Sequence, residues 1–339
     1  MRTAMSSSHV LLAVILSAFA SSVLADPFGQ DDVDWLKTMA FAAHQTDYVG
    51  TFVYQYGNHV ETSRITHVSD SNGEHGRLES LDGTRREIIH SKNQVWCYLG
   101  GRKVSVENRQ RHRSFPALLP QQLSLLNKNY RIRKAEEVRV AGFHTYAFVF
   151  QPKDNLRYVH KMWAHNDSGL LLKAAVLDGQ GRVIEQYAFT QLSIGGDIDR
   201  SWIVPDKATG NMHIRHGYYS SSETINDAYT ADADVETENL SGWQVDALPP
   251  GFLKTVEIRR TLRNKKSPVT HLVFSDGLAG ISVFIEDMDD QVQTNSGLSS
   301  QGAIQIYGKV TGSHLVTVVG EVPPRTIIQV ADSVRYGGQ

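Results

Sequence analysis

From Val49 onward, apolar and polar residues alternate with a period of two for most of the first two hundred positions, the pattern of strands with one buried face. "GTFVYQYGNHVETSRITHV" predicts a hairpin around Gly57-Asn58. "GRLESLDGTRREIIHSKNQVWCYLGGRKVSVE" continues it with turns at Asp82-Gly83, Lys92-Asn93 and Gly100-Gly101. Strands resume in "EEVRVAGFHTYAFVFQPKD" and "RYVHKMWAHNDSGLLLKAAVLDGQGRVIEQYAFTQLSI", with turns at Asp167 to Gly169 and Asp178 to Gly181. Short, even strands joined by tight turns make an antiparallel meander. Two segments break the period. "DDVDWLKTMAFAAHQ" places Trp35 or Leu36, Met39, Ala40 and Ala43 at helical spacing behind capping aspartates, and "SFPALLPQQLSLLNKNY" reads as loop plus a short helix.

Around residues 205–239 the chain turns polar and then acidic, as a linker or long loop would. A second unit is expected over 240–339. It holds "WQVDALPPGF", the basic strand "KTVEIRRTLRNKK", a hairpin in "HLVFSDGLAGISVFIE", the strands "GAIQIYGKV" and "HLVTVVGEVP", and a terminal helix in "PPRTIIQVADSVRY". The expected fold is mainly β with α. An antiparallel, partly open barrel covered by helices spans 26–204, and a smaller sheet packs with a helix in the second unit.

Residues 1–25 read as a cleavable signal peptide, with Arg2, an apolar run from Val10 to Ala20 and small residues before Asp26. No cysteine follows the expected cut before Cys97, the one cysteine of the chain, so no intramolecular disulfide forms. The expected location is a bacterial periplasm, with stability drawn from the core. Charge is nearly balanced at −2, which argues against a general nucleic-acid binder.

The hairpin "HLVFSDGLAGISVFIE" brings a histidine, a serine and an aspartate together, yet His271 and Ser275 stand roughly 13 Å apart along a strand, beyond the reach of a nucleophile and its base. Ser275 and Asp276 point to opposite faces, and Asp276-Gly277 suits a tight turn. No zinc signature, phosphate loop or nucleophile elbow occurs, and "DADVETE" lacks the glycine and glutamate spacing of a calcium loop. No enzyme, metal or cofactor is therefore expected. Two basic clusters remain as candidates for anionic groups: Arg109, Arg111 and Arg113 before the "SFPALLP" interruption, and Arg259, Arg260, Arg263, Lys265 and Lys266 in the second unit.

Several blocks together, "GTFVYQYGNHVETSRITH", "RLESLDGTRREII", "FPALLP", "RYVHKMWAHNDSGLLLKA", "LPPGF" and "HLVFSDGLAGISVFIE", resemble those of the RseB/MucB family, the periplasmic regulators of the sigma-E envelope-stress response. The resemblance implies a large domain similar to LolA and LolB and a small sheet-and-helix domain. It implies binding to the periplasmic segment of a membrane anti-sigma factor, protection of that segment from a protease cascade, release by lipopolysaccharide or a related lipid, and self-association. On that basis Leu118, Leu119, Leu123 and Leu125 are expected at the lipid-site lid, with Arg109, Arg111 and Arg113 near phosphates. Arg259, Arg260, Arg263, Phe274 and Asp276 are expected on the partner-binding side. The competing reading is a lipid or lipoprotein carrier with no anti-sigma partner, and a serine hydrolase is the third.

Overall fold

The computed structural model describes residues 30–91, 94–99, 102–107, 114–203, 213–214, 241–260, 267–288 and 296–337. The expected signal peptide, most of the 205–239 segment and Arg109, Arg111, Arg113 and Arg263 lie outside them, as do the turns at Lys92-Asn93 and Gly100-Gly101.

Helix α1 (Gln30–Gln45) buries Leu36, Met39, Ala40 and Ala43, the stripe its spacing predicts. The strands that follow are β1 (Tyr48–Tyr56), β2 (His59–Asp70), β3 (Gly73–Ser80), β4 (Arg86–Ser91), β5 (Gln94–Leu99) and β6 (Arg102–Glu107). After the short helix α2 (Ser124–Asn129) come β7 (Tyr130–Val140), β8 (Phe143–Pro152), β9 (Val159–His165), β10 (Leu171–Leu177), β11 (Val183–Ile194) and the two-residue β12 (His213–Ile214). All twelve join one sheet in the order β12-β6-β5-β4-β3-β2-β1-β11-β10-β9-β8-β7. It is antiparallel except where β12 lies parallel to β6. No closed barrel forms among the described residues, because the terminal strands of this ladder do not pair with each other.

One face of the sheet carries the core. Phe52, Phe148, Phe150, Met162 and Phe189 pack with α1 and with Phe115, Leu119 and Leu126 of the segment that interrupts the strand pattern. Trp163 points the other way and covers Ala147 and Ala175, as alternation demands.

The second unit is a six-stranded antiparallel sheet, ordered β14-β15-β16-β19-β18-β17, with a two-stranded ribbon of β13 (Trp243–Val245) and β20 (Val334–Tyr336). Its strands are β14 (Leu253–Arg260), β15 (Val269–Ser275), β16 (Gly280–Asp287), β17 (Gly297–Gln301), β18 (Ile304–Thr311) and β19 (His314–Gly320). Helix α3 (Pro324–Asp332) opens on proline and buries Ile327, Val330 and Ala331 against the sheet. The expected terminal helix therefore stops at Asp332, and the next residues leave to pair with β13 because Trp243 and Val245 offer a partner edge. Strand β17, whose polar "GLSSQ" gives no alternating signal, is an element the pattern did not predict.

Candidate functional site

Among the described residues the two sheets meet at two places, both built on polar groups that a single sheet has no use for. At the first, the four-residue turn between β15 and β16 reaches into the large sheet. The pair Ser275↔Gly280 closes this hairpin, so Asp276-Gly277 forms half of a longer turn, not the centre of a two-residue one. Asp276 Oδ1 accepts the amides of Leu278 and Ala279, which shapes the turn. Its Oδ2 accepts the Tyr130 hydroxyl at 2.9 Å and the Arg157 Nε at 2.5 Å. Asp276 is 0% exposed and Arg157 4%. Arg157 also donates to Asp154 and to the Pro250 carbonyl, and its guanidinium lies 5.0 Å from the Phe252 ring centre. Asn129 Nδ2 donates to the Asp276 carbonyl. The pair is thus paired at nearly every donor and acceptor, the condition under which a buried ion pair is tolerated.

Burial first, and then the neighbouring Asp276 charge, push the Tyr130 hydroxyl well above its ordinary range, so it stays a donor. His160, on β9 beside this node, is driven down to about 4 by burial, partly offset by Asp276, and is neutral at ordinary pH. The tip residue Leu278 packs against the core of the large sheet. A side chain at Gly277 would touch Leu125 at 3.3 Å, so the turn rests on α2.

At the second place the β17–β18 turn meets the outer ends of β1, β9 and β11. Glu185 Oε2 accepts the Tyr54 hydroxyl at 3.0 Å and the Ala303 amide at 2.9 Å. Gln305 Nε2 donates to the Tyr158 hydroxyl and Gln301 Nε2 to the Tyr56 hydroxyl, both at 3.3 Å. Ala303 packs on Tyr158 and Val176. Burial raises the Glu185 carboxyl above its ordinary value despite the bonds from Ala303 and Tyr54, because neither partner brings a positive charge. Between the two places, Thr326 of α3 donates to the Leu156 carbonyl and Arg325 to that of Asn155.

The residues singled out from the sequence are distributed unevenly over this junction. Leu119 is buried in the large core, Leu118 and Leu123 pack partly buried against it, and Leu125 faces the turn. The rings of Phe52 and Phe115 pack 5.2 Å apart, and each lies 5.1–6.4 Å from those of Tyr187 and Phe189, so this part of the expected hollow is filled by side chains. Arg259 is exposed on β14, and Arg260 ends that strand. Phe274 and Asp276 are not free surface groups. Phe274 lies in the small core and floors a pocket of about 300 Å³ with Trp243 and Leu272, while Asp276 is spent on the junction. Ser275 donates to the Ala279 carbonyl, and His271 stacks on Phe284, so both have structural work. No group of His, Cys, Asp and Glu side chains is arranged to hold a metal ion among the described residues, and no helix among them is long and apolar enough to cross a membrane. Sequence reasoning missed Arg157, Tyr130 and Glu185. Of these only Glu185 carried a signal, a carboxylate in the same alternation as Tyr187 and Phe189 along β11.

Family models for the MucB/RseB N-terminal and C-terminal domains match residues 31–207 and 237–335. The sigma factor AlgU regulatory protein MucB of Pseudomonas aeruginosa is 32% identical, over 93% of this chain and 94% of its own. The sigma-E factor regulatory protein RseB of Escherichia coli K12 is 23% identical, over 89% and 90%. Among solved structures, the Pseudomonas aeruginosa MucA/MucB complex matches with a TM-score of 0.68 at 29% identity, covering 91% of this chain and all of that one. A crystal structure of MucB matches with a TM-score of 0.58 at 28% identity, covering 91% and 98%. With both halves matched in order and a relative sharing a third of its residues along almost the full length, the chain belongs to the MucB/RseB family, whose members are regulators rather than enzymes.

Proposed function

We propose that the protein is a negative regulator of sigma-E-type envelope-stress signalling. It is exported to the periplasm by a cleavable signal peptide, binds the periplasmic segment of a membrane anti-sigma factor and shields it from regulated proteolysis. Lipopolysaccharide or a related lipid then releases the segment. The observation that carries this reading is the junction: the turn bearing Asp276 rests on α2 and the leucine segment, so displacing that segment disturbs the contact between the two units. The large sheet acts as a partly open, LolA-like barrel whose apolar face is exposed to acyl chains when the 114–129 segment lifts, with Arg109, Arg111 and Arg113 near the phosphates. Arg259, Arg260 and Arg263 face the peptide, and Asp276 and Phe274 act on it only through the packing they hold. Self-association belongs to the same reading.

A lipid can release the peptide only by as much as it prefers the peptide-free arrangement. The MucA/MucB likeness, closer than that to MucB alone, supports an arrangement near the partner-bound one. The test mixes the purified protein with the anti-sigma factor's periplasmic domain and the initiating protease, then titrates lipopolysaccharide. Cleavage is expected to slow with the protein and recover with lipid; equal cleavage with and without the protein overturns the reading.

A further inference from the structure

Away from the junction, three imidazoles converge on one carboxylate oxygen. His44 at the last turn of α1 donates Nδ1–H to Glu74 Oε1 at 3.0 Å, His67 on β2 donates Nε2–H to the same atom at 3.1 Å, and His90 Nε2 on β4 stands 3.8 Å from it. Strand register explains the convergence. His67 pairs with Gly76, and Gly76 pairs with His90, so a residue without a side chain lies between the two rings. A Cβ at Gly76 would sit 2.1 Å from the His90 ring, which therefore lies across this strand only because the position is glycine.

His67 decides what the cluster does. It is 3% exposed, its Nδ1 faces the Thr46 carbonyl at 2.8 Å, and its Nε2 faces Glu74. Both neighbours are acceptors, so only the doubly protonated ring makes both bonds, and the neutral ring gives up one. Thr46 follows α1 directly, so the His67 bond to its carbonyl and the His44 bond to Glu74 tie the same helix end to the sheet, and the His67–Glu74 bond joins their two anchors on β2 and β3. Burial opposes ionisation of Glu74, but the bonds from His44, His67 and His90 outweigh it and hold the carboxyl well below the usual range. The acceptor thus stays charged. The other titratable or charged groups around the cluster are Tyr48 of β1, stacked on His67 at 4.9 Å, and Asp47 and Asp70, which share Arg200; His75 lies on the opposite face of β3, bonded to Ser91 and 3.9 Å from Asp70.

We propose that His44, His67, His90 and Glu74 form a proton-operated clasp that fastens the end of α1 to the large sheet on the acid side of neutrality and slackens as the medium turns alkaline. Every ring proton in the cluster faces an acceptor, so each proton removed takes a bond from the clasp. Because α1 covers the apolar face of the sheet, the proton sets how firmly that face is capped. This inference stands on the cluster geometry and not on the regulatory reading.

Hydrogen exchange on the full chain, corrected for intrinsic rates, tests it at pH 6 and pH 8. Protection of the last two turns of α1 is expected to fall by about tenfold from pH 6 to pH 8, with β8 and β9 unchanged. His44→Gln and His90→Gln, which leave the buried ring in place, are expected to shrink that difference, and His67→Gln to abolish it. Equal protection at the two pH values, or a difference left at its full size by His44→Gln and His90→Gln together, overturns the clasp. A pH response that vanishes on chelation and returns with micromolar zinc also overturns it, in favour of a metal site.

Discussion

The two contacts that join the sheets solve the same problem in opposite ways. At the Asp276 node a buried carboxylate meets a buried guanidinium, and Tyr130 and Asn129 turn their donors towards Asp276. At the Glu185 contact another buried carboxylate is met, among the described residues, by a phenol and an amide, neither of which compensates its charge. The first contact is costly to break from one side; the second is weaker when ionised than when protonated. A junction built this way has one fixed point and one adjustable point, which is the arrangement a hinge needs.

The largest effect is expected at the fixed point. Asp276→Ala leaves Arg157 with the Asp154 carboxylate and the Pro250 carbonyl but without its fully buried partner, and it strands the Tyr130 hydroxyl; loss of one partner of a buried pair costs about 3–5 kcal/mol. Denaturant unfolding is expected to register most of that loss. Arg157→Met combined with Asp276→Leu is expected to recover a large part, since an apolar pair of similar volume avoids the stranded charge. If Asp276→Ala unfolds at the wild-type midpoint, the pair does not hold the junction.

Much of this fold was legible because repeated strands carry their own signal. α1, the Gly57-Asn58 hairpin and the α3 stripe follow directly from spacing. Other features hid for physical reasons. The β7–β8 turn is built on Ala141-Gly142 with positive φ at both residues, and alanine gives no hint of that conformation. Asp276 already has a complete local role in shaping its turn, so nothing in "SDGLAG" demands a distant arginine. Arg157 in "DNLRYVH" looks like any strand-edge cation, and the two lie 119 residues apart. Glu185 follows the strand alternation, yet what it meets comes from β17 and β18, and β17 itself was invisible. Tertiary polar pairs leave no period in a sequence, which is why the sheets could be foreseen and the junction could not.

Two glycines probe the contacts separately. Gly251 has φ +84, and a Cβ there would lie 2.1 Å from Asn129 Oδ1, whose amide serves the Asp276 carbonyl. Gly302 has φ +59, and its Cβ would lie 2.3 Å from Glu185 Oε2. Alanine at either site adds left-handed strain to a clash, about 1–3 kcal/mol. Gly251→Ala is expected to loosen the first contact and Gly302→Ala the second, each read as faster proteolysis between the sheets. Both substitutions together should add, because the contacts share no residue. A strongly non-additive pair would mean that the two points behave as one.

The smallest and sharpest change is Glu185→Gln, which preserves shape and leaves an oxygen for both the Ala303 amide and the Tyr54 hydroxyl. The sign follows from the direction of the shift. The folded carboxyl titrates above its ordinary value because burial penalises the charge, so its favourable contribution is full in acid, below the ordinary carboxylate range, and fades as pH rises through the folded value. Wild-type docking of the β17–β18 turn should therefore weaken from mild acid towards neutrality, observable as growth in the radius of gyration by small-angle scattering. In Glu185→Gln that growth should be absent, while the clasp at α1 keeps its own pH response. Should the variant expand with pH as the wild type does, Glu185 is not the adjustable point, and the asymmetry between the two contacts must come from their packing instead of their charge.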